Sequence, residues 1–268
     1  MFKKQQILFL ITVTIILLGV SLFFLTKEKE SGENLNLATD SCEEKTVRDV
    51  DGNVYKTISI GRQCWMAENL RTTTYRDGTP IPKIIDHNEW WDDSEGSYAL
   101  YDYTYPFKYT AKEITSNKEM FEIYGYLYNF YAVKNPSGLC PENWTVPSDE
   151  DWQELETSLG MSLAKAQERW YRGDSEGSML AGRAELWDED GIKKERFATS
   201  GFNALPAGYR RSYGDYGNIS SSANFWTSDK LDEKNAVSRE IYAGNSGIYR
   251  VVNINKNNGH SVRCLQKK

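Results

Sequence analysis

The sequence predicts an α+β domain, loop-rich and stapled by disulfides, standing behind one N-terminal transmembrane helix. Three observations predict it. A capped helix is written over residues 149–159, short strand-like runs separated by turn residues flank it, and four cysteines follow an uncharged apolar segment. Aromatic residues make up 13% of the chain, with 17 Tyr and 8 Trp. That richness fits an all-β or α+β module with many half-buried strands, and ordinary core packing is preferred over the alternative of an exposed surface for carbohydrate or protein. The formal net charge of −6 leaves no basic footprint for nucleic acid.

Ile7 to Leu25 carries no charge and is long enough, at about 1.5 Å rise per residue, to nearly span a bilayer core. Lys3 and Lys4 precede it, so the positive-inside rule places residues 1–6 in the cytoplasm and the remainder outside. A cleaved signal peptide is the competing reading, since Gly19-Val20-Ser21 offers small residues for cleavage. The apolar Leu22-Phe23-Phe24-Leu25 that would then follow favours a retained anchor over 7–25. Residues 26–41 are polar and poor in aromatics and read as a flexible spacer, with a single ordered domain over 42–268.

Cysteines in an exported domain read as two disulfides rather than as redox or zinc chemistry. Three pairings are open. We take Cys42–Cys64, closing a local loop, and Cys140–Cys264, tying the central helix region to the C-terminal strand; four free buried thiols are the alternative.

Taken in order, residues 47–55 carry an Asp51-Gly52 hairpin turn, followed by a strand in which Ile58 and Ile60 alternate with Thr57 and Ser59. Asp49, Asp51 and Asn53 look like the start of a calcium loop. However, Gly52 falls two places early and Ile60 stands where a glutamate is needed, so the plain hairpin is preferred. Trp65 and Met66 read as core, and Asp77-Gly78-Thr79-Pro80 as a second turn. His87 to Asp93 mixes aromatic and acidic groups most densely; a tryptophan pair covering the core beneath a solvated acidic loop is the preferred reading, and a loop surface for a ligand the competing one. Residues 102–124 suggest a long loop with a short helix, and 124–133 a buried segment.

The helix at 149–159 is the clearest element. Pro147 ends what precedes it, Ser148 is the N-cap, and Asp151 completes an aspartate version of the capping box. Trp152, Leu155 and Leu159 form one apolar stripe, and Gly160 is the stop. Leu163, Ala166 and Trp170 suggest a second helix ending before Gly173, with a charged loop over 173–196. Two glycines and a proline within 201–210 rule out a long regular element there. Runs at 224–228, 238–242, 249–254 and 261–265 read as closing strands.

These segments, in this order, resemble the Fibrobacter succinogenes major paralogous domain. The match is carried by Gln63-Cys64-Trp65-Met66-Ala67-Glu68-Asn69-Leu70, Asp77-Gly78-Thr79-Pro80-Ile81 and Tyr124-Gly125-Tyr126-Leu127-Tyr128. Cys140-Pro141 through Trp152, Gly201 to Arg210, Phe225-Trp226-Thr227-Ser228 and Ser261-Val262-Arg263-Cys264 complete it. It spans roughly residues 46–266. One position departs: the family usually has Trp-His before Val-Pro, whereas Thr145 follows Trp144 here, so no role of that histidine carries over. The Pro147 to Trp152 run and the closing Val262-Arg263-Cys264 also look like formylglycine-generating-enzyme domains. That resemblance implies a C-type-lectin-like fold, with two short helices packed on a small antiparallel sheet and a long Cys140–Cys264 link.

For function, the two histidines lie far apart in sequence and no metal-ligand spacing surrounds either. We assign no catalytic residue, metal or cofactor. No calcium-binding lectin motif is present. The expectation is therefore a non-catalytic, membrane-anchored binding module for a glycan or an envelope or surface protein. A cell-envelope enzyme, as a glycan hydrolase or a formylglycine-generating type, and a purely structural envelope protein are the alternatives. Trp90, Trp91 and Asp92 form one candidate ligand surface, and Tyr209, Arg210, Arg211, Tyr213 and Tyr216 another. For Tyr209 and Arg210 a structural turn is the competing role.

Overall fold

The computed structural model describes residues 41–102 and 112–268. The anchor predicted over 7–25, and all of the spacer but Ser41, lie outside the described residues. Among the described residues no helix is long and apolar enough to cross a membrane. The domain is α+β, with short helices, largely antiparallel sheets and two disulfides.

One five-stranded sheet has the order β1-β2-β3-β13-β6. Its strands are β1 (Thr46–Arg48), β2 (Val54–Ile60), β3 (Gln63–Met66), β6 (Trp144–Thr145) and β13 (Leu265–Gln266). The 51–52 turn joins β1 to β2 as expected, with Gly52 at φ 86°. Asp49 is used inside that hairpin, where it accepts from the Asn53 N–H at 2.8 Å and the Tyr55 hydroxyl at 2.5 Å. The six-stranded sheet has the order β7-β12-β11-β10-β8-β9. It comprises β7 (Trp170–Arg172), β8 (Ala207–Arg210), β9 (Tyr216–Ile219), β10 (Ser222–Lys230), β11 (Asn235–Tyr242) and β12 (Ile248–Asn255). A two-stranded pair, β4 (Tyr98–Ala99) and β5 (Leu127–Tyr128), completes the strands.

Six α-helices occur among the described residues where the resemblance implied two: α1 (His87–Asp92), α2 (Asn117–Tyr124), α3 (Phe130–Lys134), α4 (Asp149–Ser158), α5 (Leu163–Gln167) and α6 (Glu176–Leu180). The capping box of α4 is formed. The Ser148 hydroxyl accepts from the Asp151 N–H at 3.1 Å, and Asp151 Oδ2 accepts from the Ser148 N–H at 2.7 Å. Trp152, Leu155 and Leu159 are buried, and Gly160 follows at φ 114°. Trp152 packs in one aromatic cluster with Trp65, Phe202 and Phe225, its ring centroids 5.2 to 5.7 Å from theirs.

The polar half of the α4 inner face is as well matched. Glu156 accepts from Arg172 at 2.6 Å and Arg239 at 2.7 Å, and all three side chains are fully buried. Asp149 is held by Arg239 and Arg250, each at 2.7 Å. Burial alone would raise the Asp149 carboxyl, but the hydrogen bonds and charges of Arg250 and Arg239 outweigh it and lower it to about 2. Three strands thus present arginines to one helix.

Both expected disulfides form, Cys42–Cys64 and Cys140–Cys264. The chain from Gly259 to Ser261 stitches the sheets together through single bridges of Gly259 to Arg210, His260 to Tyr128 and Ser261 to Phe225. The closing strand is therefore shorter than the expected 261–265. Arg263 sits where the strand would run on. Its buried guanidinium donates to Asn69 Oδ1 and to the carbonyls of Met66, Phe202 and Asn203. Burial lowers its pKa to about 9.

Three further expectations are corrected. The second helix stops at Gln167, and Trp170 belongs to β7, because pairing with β12 overrides the helical spacing. Residues 173–196 are no loop. They contain α6 and a 3₁₀ turn at Ala184–Leu186, with Met179, Leu180, Leu186, Trp187 and Ile192 buried between the charges. Residues 87–92 are helical rather than a loop.

Candidate functional site

The two surfaces predicted separately are neighbours. Asp86 caps α1, its side chain accepting from the N–H groups of Asn88 at 2.8 Å and Glu89 at 3.0 Å. Those hydrogen bonds, Glu89's first, hold its carboxyl below the ordinary range. The other end of α1 is held by Asn257, whose side-chain amide donates to the carbonyls of Trp90, Trp91 and Asp93. Next to it, Asn258 Oδ1 accepts from the Ser212 N–H at 2.8 Å, so one turn of chain grips both surfaces.

The hairpin between β8 and β9 meets α1 at its tip. Gly214 lies there at φ 101°, and a Cβ in its place would fall 2.6 Å from the His87 ring. His87 Nδ1 is 3.6 Å from Asp215. From the hairpin, Arg210 reaches back under the helix. Its guanidinium donates to the carbonyls of Ile84 at 2.6 Å, Ile85 at 2.7 Å and Asp86 at 3.3 Å, and its Nε to that of Gly214 at 2.8 Å. Its guanidinium carbon stands 4.3 Å from the centroid of the Trp90 ring.

The eight predicted residues divide by depth. Trp90 and Arg210 are fully buried and Tyr216 nearly so, its ring 4.9 Å from that of Tyr101. These three support the surface from beneath. Trp91 and Tyr213 are each 53% exposed, and Asp92 is exposed beside Trp91. Tyr209 and Arg211 are half-buried, the guanidinium 5.2 Å over the tyrosine ring. The outer layer thus offers two exposed aromatic faces, a carboxylate and a guanidinium. Such a surface can stack against a pyranose ring and bond to its hydroxyls.

Asn257 and Asn258 were missed in sequence. Asn255-Lys256-Asn257-Asn258-Gly259 is a turn signal, but nothing in it names the carbonyls it will cap.

The residues that build this support lie inside a segment recognised as a whole. The profile of the Fibrobacter succinogenes major domain matches residues 58–266. The chain belongs to that family. No curated protein and no solved structure matches it. In this Fibrobacter succinogenes major domain all four cysteines are taken up in two disulfides.

Proposed function

We propose that the domain is a non-catalytic binding module outside the cytoplasm, held to the membrane by residues 7–25, that recognises a glycan through the surface around Trp91 and Tyr213. The observation that carries this reading is the exposure of both rings above the buried Arg210–Trp90 pair. Exposed aromatics on a soluble surface cost solvation, and here buried Arg210 and Trp90 and half-buried Asn257 are arranged beneath them. An envelope protein is the second reading, because the same rings and charges would serve a protein hot spot.

Two disulfides support an oxidising compartment. We also propose that the fold is C-type-lectin-like. Support comes from the Cys140–Cys264 bond, which joins the chain just before α4 to the residue before the last strand.

The test is a glycan array probed with the full-length oxidised chain and with its Trp91→Ala variant. Saccharide binding that the variant loses supports the reading. A wild-type chain that binds no saccharide but captures an envelope protein through Trp91 transfers the surface to the second reading.

A further inference from the structure

A groove of about 520 Å³ lies on the other end of the six-stranded sheet, over β7, β12 and β11. Its aromatic walls are Trp170, Tyr242 and Tyr249, with Tyr171 tilted against Tyr249 at 5.1 Å and Tyr242 meeting Tyr249 edge-on at 5.1 Å. The charged residues that line it are Glu240 and Glu189, both acids.

Glu240 is the unusual one. It is 6% exposed, and among the described residues no arginine or lysine forms an ion pair with it. Its oxygens accept from the Tyr242 hydroxyl at 2.6 Å and the Ser238 hydroxyl at 3.1 Å. The next residue back, Arg239, points to the opposite face and spends its charge on Asp149 and Glu156. A desolvated carboxylate is costly unless a cation meets it. The chain places its cations on the other face of the same strand.

Trp170 is the second observation. Residues opposite each other in an antiparallel pair share a face. Its partner Arg250 reaches Asp149 on the α4 side, yet Trp170 lines the outer groove. Its backbone is left-handed, at φ 69°, which releases the ring from that face. Such a conformation is strained for a bulky residue, and the ring is 55% exposed, so core burial does not offset the strain.

Aromatic walls around an unpaired carboxylate make a cage for a positive charge. We propose that this groove binds an organic ammonium group, carried by a small cation or by an amino sugar, with Glu240 as its counter-ion and Trp170, Tyr242 and Tyr249 as its walls. This site is separate from the Trp91 and Tyr213 surface and stands whether or not that surface binds a glycan.

The test is calorimetric titration of the full-length oxidised protein. One arm uses choline against its neutral carbon isostere, and the other a chitosan oligomer against the chitin oligomer of equal length. Saturable binding of an ammonium member, absent for its neutral partner, is expected, and the arm that responds identifies the source. Glu240→Gln and Trp170→Ala, the second altering only an exposed ring, each weaken it by about tenfold or more. No saturable binding of either ammonium probe, equal binding of the neutral partners, or wild-type affinity in Glu240→Gln overturns the assignment. Loss of ammonium binding in Trp91→Ala does so as well, since it would place the charge at the other surface.

Discussion

The guanidinium of Arg210 stands over the indole of Trp90 with neither side chain exposed, and its donors are taken by four backbone carbonyls. The pair fixes the hairpin against α1. Lysine cannot reproduce that fork of donors, and it would leave buried carbonyls unpaired. Arg210→Lys is expected to cost about 3 kcal/mol, read from the shift in urea midpoint. A variant as stable as the parent contradicts the clamp.

The arginines on α4 give a defined acid response. The Asp149 carboxyl is lowered from 3.8 to about 2. Its stabilisation is complete above the unfolded value and is lost as pH falls through the folded one. A loss of about 2 kcal/mol between about pH 4 and about pH 2 follows. Asp149→Asn removes that part of the acid transition, and an unchanged acid limb in the variant would refute it.

Glu156 lies between Arg172 and Arg239 without solvent. Glu156→Ala leaves the buried Arg172 guanidinium without a carboxylate and Arg239 with Asp149 alone, and is expected to cost about 3–5 kcal/mol in denaturant unfolding. A cost below about 1 kcal/mol, the range of surface pairs, would show the pairing to be loose.

The two disulfides close loops of unequal length, with sequence separations of 22 and 124. In the chain-entropy account the shorter is worth about 3 kcal/mol and the longer about 5 kcal/mol. Replacing Cys140 and Cys264 by Ser should lower the melting temperature more than replacing Cys42 and Cys64. The reverse order contradicts the view that the long link holds the domain.

Glu240 predicts the opposite pH sign to Asp149. Burial raises its carboxyl above 4.5, only partly offset by hydrogen bonds from Tyr242, Ser238 and Asn224. A raised acid stabilises the fold below the unfolded value and loses that contribution as pH rises through the folded one. Glu240→Gln is therefore expected to gain on the parent in melting temperature as pH rises from the ordinary carboxylate range towards neutrality. A gap that stays constant over this range would contradict it.

Local signals were legible where the physics is local. Ser148 and Asp151 specify a cap, Asp51-Gly52 a turn, and Trp152, Leu155 and Leu159 a buried stripe, each within one or two turns of chain. The candidate surface was legible only in part. Trp90 and Trp91 are adjacent and chemically identical, and their separation into core and surface depends on Arg210, 120 residues later. Arg239 and Glu240 are likewise neighbours on one strand, and the face each takes follows from the acids of α4 across the sheet. Trp170 fitted a helical spacing with Leu163 and Ala166 until its pairing with Arg250 drew it into a strand. No window of sequence contains such partners.

We propose that the two exposed rings of Trp91 and Tyr213, held by the Arg210–Trp90 clamp, form a glycan-binding surface. The most direct measurement is the affinity of the full-length protein for the strongest ligand on a glycan array, compared with Trp91→Ala and Tyr213→Ala at unchanged melting temperature. The account predicts that each variant weakens binding by about tenfold or more. Saccharide binding that survives both substitutions unchanged would contradict it.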